Sequence, residues 1–115
     1  MHLSPSNALI LFALVSNVFI GPVSSQWIEI GTELRRSIGS AITIRDYFQI
    51  EGYIRVFEAY EWISMAPGTN YYWVSFTVDS TAGTRYSCDG DVLWDFRPAS
   101  GLVRTPYNPR CVPIY

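Results

Sequence analysis

The feature that most constrains the fold is a strict two-residue alternation near the middle of the chain. Residues 70–78 read "NYYWVSFTV", which places Tyr72, Val74, Phe76 and Val78 on one side and Trp73, Ser75 and Thr77 on the other. Successive side chains of a β-strand point to opposite faces of the sheet. The alternation therefore predicts an antiparallel sheet that buries one face and leaves the other face to solvent.

Further strand patterns surround this segment. Residues 53–63 predict a strand, with Ile54, Val56, Tyr60 and Trp62 on one side. Residues 84–94 predict a third long strand with a possible bulge at Gly90, and a final strand begins at residue 102. Three prolines then confine the C-terminal segment to a sheet edge or to coil: Pro106, Pro109 and Pro113.

Residues 32–48, "TELRRSIGSAITIRDYF", predict the one helix, with Thr32 as its N-cap and Glu33 in its first turn. Its apolar face would comprise Leu34, Ile38, Ala41, Ile42 and Phe48. Gly39 and the β-branched run after Ala41 favour the alternative, a strand over residues 41–48. A short strand or extended arm, residues 26–31, precedes it. The predicted fold is α+β, with one helix packed on a four- to five-stranded antiparallel sheet.

Residues 1–25 have the pattern of a secretory signal; the alternative is a membrane-anchoring helix, against which Asn17, Gly21 and Pro22 interrupt the apolar run. The segment lacks acidic residues, lysine and arginine, and its apolar core is followed by the small residues Ser24 and Ser25. We expect cleavage after Ser25, leaving a single domain of residues 26–115 that is secreted. The two cysteines, Cys88 and Cys111, then predict a disulfide, which would contribute roughly 3 kcal/mol to a small domain.

The composition argues against catalysis. The only histidine is His2, within the predicted signal, and the chain has no lysine, which excludes imidazole- and amine-based mechanisms in the mature domain. The formal net charge of −2 does not predict nucleic-acid binding. Three aspartates look like a solvated strand face rather than a calcium site: Asp89, Asp91 and Asp95. We expect no enzyme activity, no cofactor and no metal.

Several aromatic residues could form a stacking platform for sugars or bases, but a core-filling role is the commoner one. They are Tyr71, Tyr72, Trp73 and Trp94. Trp73 is the exception, because the alternation places it opposite Val74 and Phe76.

Residues 53–111 resemble the cystatins, the secreted inhibitors of papain-like cysteine proteases. The resemblance rests on a helix followed by strand, glycine-containing loop and strand, then cysteine, tryptophan and a proline loop. The cystatin motif Gln-x-Val-x-Gly falls here on Ser64, Met65, Ala66, Pro67 and Gly68, so that Ser64 and Ala66 depart from it. Pro67 and Gly68 also suit an ordinary type II turn, which is the alternative for this stretch.

The resemblance implies a second loop at Phe96, Arg97 and Pro98, without the tryptophan that follows proline in cystatins. It also implies an N-terminal arm with its glycine at Gly31, and a Cys88–Cys111 bridge flanking the second loop. In cystatins these elements form a wedge that blocks the protease cleft reversibly. The implied function is therefore inhibition of a papain-like protease by a monomer; the alternative is a secreted binding module that has lost inhibition.

Overall fold

The computed structural model describes residues 27–62 and 67–114. The predicted signal segment and three predicted loop residues, Ser64, Met65 and Ala66, lie outside the described residues. The elements are β1 (Trp27–Glu29), α1 (Arg35–Tyr47), β2 (Gly52–Trp62), β3 (Thr69–Ser80), β4 (Arg85–Asp95) and β5 (Val103–Pro113). Within the described ranges, no helix is long and apolar enough to cross a membrane.

The five strands form one antiparallel sheet in the order β1-β2-β3-β4-β5, and α1 packs on one face of it. The α+β prediction is thereby confirmed, with five strands. Each strand after β1 pairs with the next along the chain, so the connections after β2 and after β4 lie at the same end of the sheet. That end also receives the start of β1, because Trp27 lies opposite Trp62.

The alternation in β3 is confirmed, since its four apolar side chains on the helix-facing side are fully buried. They form the core with residues of α1, β2 and β4: Ala41, Ile44, Ala59, Cys88, Val92 and Trp94. Trp73 lies on the other face and is partly exposed, as predicted. Of the aromatic set, Tyr72 and Trp94 are buried, which confirms their predicted core role.

The helix begins later and buries a different face than predicted. Its N-cap is Leu34, with no side-chain cap hydrogen bond and no acidic residue in the first turn, so the N-cap prediction at Thr32 was wrong. Ile38 is 40 % exposed. The buried face consists of small residues and one isoleucine: Ser37, Gly39, Ser40, Ala41 and Ile44. Tertiary packing outweighs the weak helix propensity of "AITI", and the strand alternative for this segment is excluded.

Small residues on α1 let it approach the sheet closely. A Cβ added to Gly39 would lie 2.9 Å from Cζ2 of Trp94. At the next residue of the helix, Oγ of Ser40 accepts a hydrogen bond from the indole Nε1–H of Trp94 at 3.0 Å. The buried polar groups of the indole and the hydroxyl thus satisfy each other, and the indole fixes the position of the helix over β4.

A bulge in β2 changes which of its side chains face the core. The register with β3 shifts between Val56 and Glu58, which leaves Phe57 as the additional residue. After the bulge it is Ala59 that enters the core, while Tyr60 and Trp62 lie on the outer face. Their predicted place beside Ile54 was therefore wrong, because one inserted residue moves every later side chain to the opposite face.

The C-terminal strand β5 is an edge strand, as its prolines predict. The disulfide prediction is also confirmed: Cys88 of β4 and Cys111 of β5 lie directly opposite each other and are bonded. The irregularity predicted at Gly90 is present in this ladder, but the additional residue belongs to β5, where Asn108 takes a left-handed φ of 48°.

Candidate functional site

Two loops meet at one end of the sheet. The chain leaving β2 returns into β3 through Pro67 and Gly68, and the chain leaving β4 continues through Phe96 and Arg97. The backbone N–H of Phe96 donates to the carbonyl oxygen of Gly68 at 2.8 Å. We call these four residues the loop edge. The hydrogen bond joins two segments that are far apart in sequence into one structure.

Gly68 occupies a position that other residues tolerate poorly. Its φ is 77°, in the left-handed region that favours glycine. A Cβ at this position would also lie 2.6 Å from Cγ of Arg97. Glycine is therefore required here for two reasons, its backbone conformation and the close approach of the second loop.

A bidentate ion pair holds the second loop in shape. The guanidinium of Arg97 donates to both carboxylate oxygens of Asp95, at 2.9 and 3.0 Å, and its backbone N–H donates to Oδ1 at 3.0 Å. These contacts hold the pKa of Asp95 below its ordinary value. Three hydrogen bonds to one carboxylate favour a single loop conformation over the many that a free loop would sample.

Exposed apolar side chains lie in the loop edge and beside it. Phe96 is 50 % exposed, and Leu102 and Val103 follow at the far end of the same connection, also exposed. The ring of Phe96 packs at 6.3 Å from that of Trp94, which is itself buried against α1. The half-exposed ring of Phe96 is therefore supported by contact with a core residue.

A polar network lies at the same end of the helix-facing side. The hydroxyl of Tyr72 donates to Oε2 of Glu61 at 2.7 Å, and Nε of Arg36 lies 3.8 Å from the same oxygen. Burial, with the bond to Glu61, raises the pKa of Tyr72. Glu61 thus ties α1, β2 and β3 together where β2 enters its loop.

The structure brings together four of the predicted site residues and separates others. Pro67 and Gly68 meet Phe96 and Arg97, and Pro98 accepts a turn-closing hydrogen bond from the N–H of Gly101 at 3.0 Å. The placement of the other first-loop residues lies outside the described residues.

Gly31 is not part of the loop edge. It lies beyond the far end of β1, about 13 Å along the strand from Trp27 at roughly 3.3 Å per residue. There its carbonyl accepts a hydrogen bond from Oγ of Ser37 at 2.7 Å, an interaction that sets the entry into α1.

Sequence reasoning missed the placement of two residues at this end. Asp95 was grouped with the aspartates of β4, although its spacing of two from Arg97 is a signal for a local ion pair. The final strand was predicted to begin at Leu102 and Val103, and it does begin at Val103; what the sequence did not show is that Val103 lies opposite Asp95, beside the second loop. The groups gathered here are rings, aliphatic side chains, a paired guanidinium and backbone amides, which suit non-covalent contact.

The aspartates of β4 do not share one environment, as a solvated face would require. Asp89 pairs with Arg110 at 2.7 Å, whereas Asp91 is only 3 % exposed. Burial, with a smaller effect of Asp89, raises the pKa of Asp91 to about 7. In the described part of the chain, no group of acidic, histidine or cysteine side chains has the arrangement of a metal site.

Comparison of the chain with protein-family models, curated protein sequences and solved structures returned no match.

Proposed function

We propose that this protein is a secreted, cystatin-like inhibitor of papain-like cysteine proteases that blocks the cleft reversibly through its loop edge. The observation that carries the proposal is the hydrogen bond from Phe96 to Gly68, which joins the two loops at one end of the sheet. The order of elements, with a helix between the first two strands of an antiparallel meander, supports the resemblance drawn from residues 53–111.

The loop edge suits insertion into a preformed cleft because contacts within the protein hold its residues in place before binding. Asp95 holds the second loop, Gly68 allows the close approach of Arg97, and the Phe96 side chain is 50 % exposed. A preorganised surface loses little conformational entropy on binding, and a buried aromatic side chain contributes strongly at an interface. Binding of this kind competes with substrate for the cleft.

Secretion belongs to the same proposal. A disulfide is stable in an oxidising compartment, and Cys88–Cys111 forms one here. Residues 1–25 would direct export and be removed. The chain that leads into Trp27 would supply the N-terminal arm, because Trp27 enters the sheet at the loop-bearing end, whereas Gly31 does not.

The alternative is a secreted module of the same fold that binds another protein. Ser64 and Ala66 favour it, since both replace residues that cystatins use in the first loop. The two functions differ in one measurable property, competition with a protease substrate.

The experiment is a titration of the oxidised protein against papain at several concentrations of a small peptide substrate. Inhibition that weakens as substrate rises supports the proposal. Phe96→Ala should raise the inhibition constant about tenfold or more, through loss of the apolar contact. Phe57→Ala is the matched control, because Phe57 is also 50 % exposed but lies at the β2 bulge, away from the loops. It should inhibit like the unaltered protein.

A second variant, Gly68→Glu, adds a charge and a side chain at the junction of the loops and should abolish inhibition. Equal inhibition by Phe96→Ala and the unaltered protein would refute the role of the second loop. No inhibition by folded, unaltered protein at high micromolar concentration would refute the inhibitor proposal and leave the binding module.

A further inference from the structure

The outer face of the sheet carries two aromatic rows that the loop edge does not use. The first row crosses all five strands at paired positions: Glu29, Tyr60, Trp73, Asp91 and Tyr107. The second row lies beside it, toward the loops, and begins with Trp27, Trp62 and Tyr71. All six aromatic side chains are partly exposed. A solvent-side sheet face would ordinarily carry polar residues at these positions.

The rings of the two rows contact one another in pairs. The ring centroids of Tyr60 and Trp73 are 6.1 Å apart at an interplanar angle of 58°. Those of Tyr71 and Tyr107 are 6.2 Å apart at 50°. Tyr71 is on β3 and Tyr107 is on β5, so this pair meets above β4, the strand that carries Asp91. All four of these side chains are partly exposed on the outer face.

The charges near the rings are negative. Glu29 lies directly opposite Tyr60 in the sheet. Burial, and then the charges of Glu29 and Glu58, raise the pKa of Tyr60. Among the residues that the structure describes, neither Glu29 nor Glu58 has an arginine within ion-pair distance. Arg110 lies in the adjoining row, and it pairs with Asp89.

The size of this surface indicates a macromolecular partner. It crosses five strands, which spans about 19 Å at roughly 4.8 Å between neighbouring strands. Small ligands bind in concave pockets that enclose most of their surface. A row of side chains across the outer face of a sheet instead suits an extended segment of another protein.

We propose that this outer face binds an arginine-bearing segment of a partner protein. Guanidinium groups would stack on the rings of Tyr60 and Trp73 and pair with Glu29. A guanidinium is attracted to the face of an aromatic ring, most strongly to that of tryptophan, and is weakly hydrated, so that it stacks readily. Electron-rich rings beside carboxylates that form no ion pair should bind a segment with guanidinium groups more tightly than an uncharged segment.

The test uses a synthetic peptide of about four Gly-Arg repeats, long enough to cross the face at roughly 3.3 Å per residue. Its neutral counterpart replaces each arginine with citrulline, which has nearly the same shape and no charge. Each peptide is titrated into the oxidised protein, and tryptophan fluorescence and the indole N–H resonances are followed. The arginine peptide should bind at least tenfold more tightly than the citrulline peptide.

Two variants locate the binding. Trp73→Ala should weaken binding of the arginine peptide about tenfold, and Glu29→Arg, at an exposed position that folding tolerates, should weaken it at least as much. Tyr53→Ala is the matched control, because Tyr53 is an aromatic residue that is 72 % exposed and lies outside both rows. It should leave affinity unchanged.

Three results would overturn the proposal. Equal affinity for the two peptides would show that charge is not recognised. Unchanged affinity in folded Glu29→Arg would place binding elsewhere. Binding of a neutral oligosaccharide to this face, without binding of the arginine peptide, would assign the aromatic rows to sugar stacking.

Discussion

Replacing Asp91 with asparagine should stabilise the protein at alkaline pH and leave it unchanged in acid. The carboxyl is almost completely buried, and burial raises its pKa from the ordinary value of 3.8 to about 7. Between these two values the folded protein retains a proton that the unfolded chain has released. Raising the pH through this window therefore lowers the free energy of unfolding.

The magnitude follows from the two pKa values. A difference of one in pKa corresponds to about 1.4 kcal/mol, so a rise from 3.8 to about 7 gives a loss of as much as about 4 kcal/mol above pH 7. That is a large share of the stability of a small domain, about 5–15 kcal/mol. Asparagine has nearly the shape of the carboxyl group and no charge to bury, so the variant should avoid this loss.

The assay is urea unfolding of both proteins at intervals from pH 4 to pH 8.5, with the disulfide intact. The two curves should coincide near pH 4 and diverge as pH rises, with the variant more stable by about 2–4 kcal/mol at pH 8.5. Asp89→Asn is the control on the same strand; it loses an ion pair with Arg110 that is worth at most about 1 kcal/mol. A stability difference between Asp91→Asn and the unaltered protein that is independent of pH would refute the argument.

Three other predictions concern the loops and the packing. Asp95→Ala should weaken papain inhibition about threefold or more while the melting temperature stays nearly constant, and a loss of inhibition explained fully by unfolding would contradict it. Gly39→Ala should cost about 1–3 kcal/mol in urea unfolding, because the added methyl group meets Trp94, and a neutral effect would contradict the close packing. Replacing Cys88 and Cys111 together with serine should cost about 3 kcal/mol or more, and equal stability would show that the bridge contributes nothing.

The sequence predicts those parts of the fold whose signal is local. The alternation of residues 70–78 depends only on neighbouring residues of one strand, and the burial pattern of β3 reproduces it. The edge position of β5 follows from prolines that cannot donate hydrogen bonds. The contact between Gly68 and the second loop could be anticipated only as a consequence of the family resemblance, since two turns far apart in sequence do not indicate each other.

Other parts depend on contacts that no local pattern carries. The burial of Ser40 follows from an indole on another element that needs an acceptor, so a polar residue occupies the helix face where isoleucine was expected. The face on which Tyr60 lies depends on the bulge at Phe57, and the alternation of the strand does not predict that bulge. Asp91 is buried although it lies on the outer face, on the strand between Tyr71 and Tyr107, whose rings contact each other. Each case is a tertiary contact overriding a residue's ordinary preference.

The hydrogen bond between the two loops also limits how such a chain can diverge. Because Phe96 donates from its backbone and Gly68 accepts with its backbone, the bond survives any change of the Phe96 side chain except one to proline, which lacks the N–H. The bond continues the ladder of β3 and β4 by one pair, since Thr69 and Asp95 are the last paired residues before it. An insertion or deletion at these junctions would break the bond, whereas changes further into either loop would leave it in place. Descendants of this chain that acquire a new target should therefore keep the junctions and differ in the side chains and lengths of the loops beyond them.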